Sequence, residues 1–161
     1  WQRVQSEAPA QQELSGLPAM ASQELELAAY YRRLTRQQPA CGTLARECQR
    51  HSAILRGIGT LAGIPCKPVP YAGQMSRDVL RSCYGKTLQL RRQYEALQTH
   101  PEYGCAFQTL AENKRTQACF LLEMVGKGYK KQYVEQVLCD KYGYTPRYIR
   151  IIVKFMKDEV V

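Results

Sequence analysis

The 161-residue sequence lacks any apolar segment long enough to cross a membrane. A spanning helix needs about 18 or more consecutive apolar residues, whereas the longest candidate is the short segment from Gly57 to Ile64. The sequence also lacks a basic segment followed by an apolar one near its start, which is the pattern of an export signal. We therefore expect no membrane partner and a cytoplasmic protein.

The cysteines lack the spacing of a metal finger or of a Cys-x-x-Cys redox motif. An odd number spread along the chain is typical of free thiols in a reducing compartment. Several recur at helical spacing among apolar residues, so we interpret them as small residues of the core. The seven are Cys41, Cys48, Cys66, Cys83, Cys105, Cys119 and Cys139.

The sequence also lacks the local motifs of the common enzyme classes. It contains no glycine-rich phosphate loop, no Gly-x-Ser-x-Gly nucleophile elbow and no His-Glu-x-x-His metal motif. Such absences exclude only these signatures. A conventional enzyme is the less favoured interpretation, and no residue is predicted to be catalytic.

Acidic residues are scarce relative to basic ones. The chain has 23 lysines and arginines against 14 aspartates and glutamates, which gives a formal charge of +9. Residues 127–161 hold eight of the basic and four of the acidic residues, so part of the surplus lies in this segment. Because a basic surface attracts polyanions, we expect DNA or an acidic protein as a partner.

Four amphipathic helices are predicted after an extended arm over residues 1–19, which contains Pro9, Gly16 and Pro18. In each helix the inward positions recur at steps of three and four. These positions are Glu24, Leu27, Tyr31 and Leu34; Leu44, Cys48, His51, Leu55 and Ile58; Leu80, Cys83, Thr87, Leu90, Tyr94 and Leu97; and Cys105, Gln108, Glu112, Arg115, Cys119 and Leu122. The sequence thus predicts a bundle domain over residues 20–126.

Local signals predict where the helices begin and end. Ser22 and Ser76 are predicted N-caps, Pro39 ends the first helix and Gly63 ends the second. Residues 65–73 contain three prolines, which exclude helix and favour an extended crossover. Short links on either side of one long crossover are typical of a ferritin-like bundle.

Each predicted inward face contains polar residues near its middle, and a buried polar group needs a partner. The segments concerned are ELELAAYY with Glu24, ARECQRHSAIL with Cys48 and His51, CYGKTLQLRRQY with Thr87, and LAENKRTQA with Glu112 and Arg115. Over residues 20–126 this pattern resembles the ferritin and rubrerythrin superfamily, in which two helices each give one Glu ligand and two give Glu-x-x-His.

The resemblance implies a di-iron ligand set that is no longer complete. The family's residue types are kept at Glu24, His51 and Glu112 and are replaced at Cys48, Thr87 and Arg115. The second metal position loses most, because an arginine stays cationic and does not bind metal. Di-iron chemistry is therefore not expected.

Two interpretations of the polar layer remain open. In the favoured one there is no cofactor: Arg115 pairs with Glu24 or Glu112 and replaces the metal charge, and Thr87 occupies a neighbouring position. In the other, a single Zn or Fe ion is retained. Its ligands would be Glu24, Cys48, His51 and Glu112.

The basic segment over residues 127–161 has the pattern of two helices joined by a turn. The sequence YVEQVLCDKYGYTPRYIRIIVKFMK places the turn at Gly143 and a helix start at Thr145-Pro146. It resembles a DNA-binding helix-turn-helix, and the alternative is an ordinary hairpin packed on the bundle. The resemblance implies base contacts by Thr145, Arg147, Tyr148 and Arg150, and phosphate contacts by Lys130, Lys131 and Lys154.

The sequence thus predicts an all-α fold, with a ferritin-like four-helix bundle and a C-terminal two-helix, helix-turn-helix-like appendage. The favoured function is a non-catalytic binding or regulatory protein, whose bundle senses or forms a homodimer and whose tail contacts DNA. The alternatives are a metalloprotein that retains one site and a scaffold for protein contacts.

Overall fold

The computed structural model describes residues 13–128, with side chains described up to residue 124. This described part of the chain contains the helices α1 (Leu17–Leu34), α2 (Cys41–Ala62), α3 (Val79–Leu97) and α4 (Gly104–Gly128). No β-strand occurs in residues 13–128, so the predicted all-α class and four-helix bundle are confirmed for this range. None of the helices in the described range is long and apolar enough to cross a membrane.

The chain divides into two compact units, and the boundary between them follows Ala118 inside α4. All bundle contacts described below lie in the first unit. The predicted C-terminal appendage, apart from the last two residues of α4, and residues 1–12 of the predicted arm lie outside the described residues.

Helix α1 begins at Leu17, inside the extended arm that the sequence predicts over residues 1–19, and residues 13 and 14 are helical too, so that prediction is wrong for residues 13–14 and 17–19. Pro18 lies in the first turn, where a missing N–H loses no helical bond and the fixed φ suits the helix. The proline therefore starts this helix instead of excluding it. Gly16 takes the N-cap position predicted for Ser22.

Two residues at the ends of the crossover between α2 and α3 define where these helices stop and start. Gly63 ends α2 in the left-handed conformation, with φ of 74°, and its N–H bonds back to the last turn. This confirms the predicted end. Helix α3 begins two residues later than predicted, because Asp78 and not Ser76 is its N-cap: Asp78 Oδ1 accepts a hydrogen bond from the Arg81 N–H at 3.0 Å.

The predicted inward faces of the first three helices are confirmed. Every predicted inward residue of α1 and α3 is buried, and on α2 only Leu44 is half-buried. Leucine and cysteine side chains fill most of this core, and the fully buried tyrosines Tyr31 and Tyr94 carry hydroxyl groups into it. A buried hydroxyl needs a partner, so the core must contain other polar groups.

Side-chain contacts give the relative direction of the helices. Between α1 and α3, and between α2 and α4, the contacting residues run in opposite order along the chain, so the helices of each pair are antiparallel. Between α1 and α4 the contacting residues run in the same order, so these two helices are parallel. The pairs are Glu24–Tyr94 and Tyr31–Thr87, His51–Asn113 and Cys48–Gln117, and Glu24–Lys114 and Tyr31–Gln117. Helices α2 and α3 are therefore parallel, so the crossover returns along the length of the bundle.

Candidate functional site

Polar side chains from all four helices meet in the centre of the bundle. We call this group the polar cluster, and each member is buried to 1% exposure or less. It consists of Glu24 on α1, Cys48 and His51 on α2, Thr87 on α3, and Lys114 and Gln117 on α4. Burying so many polar groups is unfavourable unless they bond to one another, so their arrangement carries the chemistry of the site.

An ion pair lies at the centre of the polar cluster. Lys114 Nζ is 2.7 Å from Glu24 Oε2, and both side chains are fully buried. The other carboxylate oxygen, Glu24 Oε1, accepts a hydrogen bond from the Tyr94 hydroxyl at 2.7 Å. Each oxygen of the carboxylate therefore has a donor of its own, as a buried carboxylate requires.

The two members of the pair hold each other in the charged state. Burial by itself would raise the pKa of Glu24, but the Lys114 ammonium and His51 bring that pKa below its usual value. Burial likewise opposes the charge on Lys114, and the Glu24 carboxylate reverses the effect and raises the lysine pKa. At neutral pH the core therefore contains a carboxylate and an ammonium ion.

Three acceptors surround the ammonium group of Lys114. Besides Glu24, the Nζ atom donates to Gln117 Oε1 at 3.0 Å and to Cys48 Sγ at 3.5 Å. An ammonium has three N–H donors and no acceptor, so the surroundings satisfy all of its hydrogens. This set of partners fits a protonated lysine, and it occupies the middle of the polar cluster.

Cys48 is a neutral thiol in this environment. Burial raises its pKa to about 12, with the Lys114 ammonium opposing the shift and the Glu24 carboxylate adding to it. A thiolate is the form of cysteine that binds metals and attacks electrophiles. The Cys48 sulfur instead accepts from Lys114, and its S–H points to Gln117 Oε1 at 3.9 Å.

His51 contacts Glu24 of the cluster through one ring nitrogen, and Asn113 of α4 and Glu47 of α2 through the other. Its Nε2 is 3.2 Å from the Asn113 side-chain amide nitrogen, which is a hydrogen-bond donor. Nδ1 lies 3.5 Å from Glu24 Oε1, a close electrostatic contact without the geometry of a full hydrogen bond. His51 thus adds a third group oriented toward the same carboxylate.

A second chain of hydrogen bonds joins α1, α3 and α4. The Thr87 hydroxyl donates to the Cys83 carbonyl at 2.8 Å and accepts from the Tyr31 hydroxyl at 3.0 Å. Tyr31 also lies 3.5 Å from Gln117 Oε1. The predicted inward position of Thr87 is correct, and its partners are protein groups.

The predicted members on the fourth helix are wrong. Glu112 and Arg115 are both exposed, so neither belongs to the polar cluster and Arg115 does not pair with a buried carboxylate. Lys114 and Gln117 face inward in their place, on the same stripe as the buried Phe107. The spacing of Phe107 from Lys114 and Gln117 is the signal that identifies this stripe, because seven and ten residues return to one face of a helix.

The predicted four-ligand metal site is not brought together. Its fourth ligand Glu112 faces outward, and the Lys114 ammonium contacts both Glu24 and Cys48, where a cation would have to be bound. The described residues contain no group of three or more His, Cys, Asp or Glu side chains placed to hold a metal ion. The residues present therefore do not fit the single Zn or Fe ion of the alternative interpretation.

The residues that the sequence predicts to contact DNA belong to the basic segment over residues 127–161. All seven, Lys130, Lys131, Thr145, Arg147, Tyr148, Arg150 and Lys154, lie outside the described residues.

Comparisons of the chain with known protein families, with curated proteins and with solved structures found no match. The interpretation of the site therefore depends on its own geometry and chemistry.

Proposed function

We propose that the chain is a ferritin-like binding or regulatory protein whose bundle works without metal. The observation that carries this proposal is the buried 2.7 Å contact between Lys114 Nζ and Glu24 Oε2. In ferritin-like bundles, metal cations neutralise the carboxylates at the centre. A permanent ammonium ion at that place supplies positive charge from the chain itself.

The helix directions support the ferritin-like assignment. Helix α1 is antiparallel to α2 and α3 is antiparallel to α4, while a long crossover joins the parallel pair α2 and α3. One long crossover within a four-helix bundle is the connectivity of ferritin-like folds.

The spacing of polar residues on α2 and α4 supports it as well. Cys48 and His51 lie three residues apart, and so do Lys114 and Gln117. The two pairs meet across the core, where Cys48 Sγ is 3.9 Å from Gln117 Oε1. Ferritin-like metal proteins have a Glu-x-x-His pair on each of two helices, and we assign these two pairs to those positions.

The non-catalytic part of the proposal follows from the state of the two most reactive side chains. Burial lowers the pKa of Lys114, but the contact with Glu24 outweighs this effect, so the lysine pKa is raised. Burial also raises the pKa of the Cys48 thiol, to about 12. A nucleophile needs a lowered pKa and access to its substrate. Neither Lys114 nor Cys48 has a lowered pKa, and both are fully buried. The polar cluster therefore holds the bundle together, and function belongs to its surfaces and to the basic tail.

Metal analysis of the purified protein tests the metal-free part. Wild type should contain much less than one equivalent of Zn or Fe after growth with both metals supplied. Stoichiometric metal that is lost in His51→Ala would instead assign the chain to the metalloprotein alternative.

A gain-of-metal variant makes this test sharper. Lys114→Glu places a second carboxylate beside Glu24, Cys48 and His51, and it should convert the cluster into a site that retains Zn²⁺. The matched control is Lys67→Glu, which makes the same charge change on an exposed lysine. Zn²⁺ binding by both variants, or by neither, would contradict the assignment.

The partner is proposed from charge and sequence alone. Because residues 127–161 are basic and resemble a helix-turn-helix, we propose that they bind DNA. Binding to a short duplex should weaken with salt and should be reduced in Arg147→Ala/Arg150→Ala. The control Arg50→Ala/Arg56→Ala removes the same charge from α2. No binding at low salt would favour the scaffold alternative, in which the partner is an acidic protein.

A further inference from the structure

A pocket of about 420 Å³ lies where the end of α1 meets the last residues of the crossover. It shares no residue with the polar cluster. Its lining contains three arginines, Arg33, Arg36 and Arg77, together with an apolar part formed by Leu34, Met75 and Val79. Pockets that bind small molecules occupy about 300–1,000 Å³ and combine an apolar surface with a few charged groups.

The crossover wall of the pocket is held in place by hydrogen bonds. The backbone N–H of Ser76 donates to the Tyr30 hydroxyl of α1 at 3.3 Å, and the Ser76 hydroxyl also bonds to Ser82 on α3. Asp78, two residues after Ser76, is the N-cap of α3. Arg77 is therefore carried by a backbone segment that is tied to two helices, and it lines the pocket together with Arg33 and Arg36.

The charge of the pocket is uncompensated within the described part of the chain. No described residue of the lining is acidic, and none of its three arginines forms an ion pair with another described residue. All three arginines are exposed to solvent, so their mutual repulsion is small, but together they give the concavity a positive potential that attracts an anion. A guanidinium presents paired N–H donors that match the oxygens of a phosphate group.

We propose that this pocket, which we call the arginine pocket, binds a small organic phosphate with two or more negative charges. The arginines would contact the phosphate groups, and the half-buried Met75 and Val79 would pack against an apolar or ring portion of the ligand. A nucleoside diphosphate has this combination. The site would give the protein a small-molecule ligand in addition to any macromolecular partner, and it does not depend on the state of the polar cluster.

Calorimetric titration of the full chain tests the proposal with three probes: ADP, inorganic pyrophosphate and uncharged adenosine. ADP and pyrophosphate should bind with saturation at one site per chain, and adenosine should not. Arg33→Gln/Arg77→Gln should weaken ADP binding at least about tenfold, because each arginine contributes charge-assisted hydrogen bonds. The charge-matched control Arg50→Gln/Arg56→Gln, on exposed positions of α2, should bind ADP as wild type does.

Three outcomes would overturn the proposal. The first is that neither ADP nor pyrophosphate binds with saturation. The second is that the control variant loses as much affinity as Arg33→Gln/Arg77→Gln, which would mean that only net charge matters. The third is that a short oligonucleotide, but not ADP, loses affinity in Arg33→Gln/Arg77→Gln, which would assign these arginines to a nucleic-acid backbone. Circular dichroism of each variant checks that the bundle is intact.

Discussion

Replacing Lys114 with methionine removes the ammonium ion from the core while it keeps an unbranched side chain of similar length. Glu24 then remains fully buried, with the Tyr94 hydroxyl at 2.7 Å and His51 Nδ1 at 3.5 Å still beside it. Neither group replaces the full charge of the ammonium ion. The variant therefore isolates the contribution of one buried cation.

The expected loss of stability is large. Removing one partner of a buried ion pair costs about 3–5 kcal/mol, because the remaining charge is left in a low-dielectric environment. Glu24 keeps the Tyr94 hydrogen bond and can take up a proton, so we expect the lower part of that range, about 3 kcal/mol. Domains have a total stability of about 5–15 kcal/mol, so Lys114→Met should lose a substantial fraction of it.

A second ion pair of this protein provides the matched control. Lys86 Nζ is 2.8 Å from Glu26 Oε1, but these side chains are 31% and 26% exposed. A pair that is open to solvent contributes about 0–1 kcal/mol, so Lys86→Met should cost far less than Lys114→Met although both remove one lysine from an ion pair.

Urea unfolding followed by circular dichroism gives these free energies, provided that the transition is two-state. The double variant Glu24→Gln/Lys114→Met removes both charges and should recover about 2–3 kcal/mol relative to the sum of the single variants. The reasoning fails if Lys114→Met costs no more than Lys86→Met, or if the coupling between Glu24 and Lys114 is close to zero.

The remaining predictions concern pH, thiol reactivity and two glycines. Lys114 holds the pKa of Glu24 below its usual value, so the Glu24 carboxylate stabilises the wild-type protein above about pH 4.3. This contribution is lost as the pH falls through the pKa of Glu24 in the folded protein. Without the ammonium, burial raises the Glu24 pKa, so Lys114→Met should lose stability as the pH rises above about 4.3. Urea unfolding from acid to neutral pH should show a widening gap between the two proteins, and a constant gap would refute this. Iodoacetamide should label the exposed Cys105 in the native protein and Cys48 only after unfolding, as peptide mapping would show; equal rates would contradict the assigned burial. Gly63→Ala should cost about 1 kcal/mol because its φ is 74°, whereas Gly57→Ala inside α2 should stabilise by roughly 0.5–1 kcal/mol; thermal shifts of the same sign would contradict this.

The sequence predicts three of the four helix faces correctly because apolar residues dominate them. On α1 and α3 the leucines and tyrosines recur at helical spacing, and the polar residues Glu24 and Thr87 lie on the same stripe. Their inward orientation therefore follows from their neighbours. The inward face of each of these two helices can therefore be identified without knowing which residues Glu24 and Thr87 contact.

The register of α4 could not be obtained in the same way. Its inward stripe contains Lys114, and a lysine is almost never fully buried unless it is paired. The partner Glu24 lies 90 residues earlier in the chain, so nothing in the local sequence indicates the pair. The sequence analysis instead assigned Glu112 to the inward face, whereas in the structure Glu112 lies on the exposed face of α4.

The two helix starts show why small errors in boundaries arise. Pro18 reads as a breaker when it is taken alone, but at the first turn of α1 it is compatible with the helix. For α3, Ser76 and Asp78 are both good N-cap residues, and only the bond from the Arg81 N–H to Asp78 distinguishes them. Local sequence therefore gives the caps to within a few residues, and the tertiary structure selects among them.

The central claim, that a buried ammonium ion takes the place of metal in this bundle, is tested most directly by NMR of protein with ¹⁵N-labelled lysine. Because Lys114 Nζ donates to three buried acceptors, its protons should exchange slowly with water. We predict one protected lysine ammonium signal at neutral pH that is absent in Lys114→Met and unchanged when one equivalent of Zn²⁺ is added. A spectrum without a protected signal, or a signal that disappears as Zn²⁺ binds, would contradict the claim.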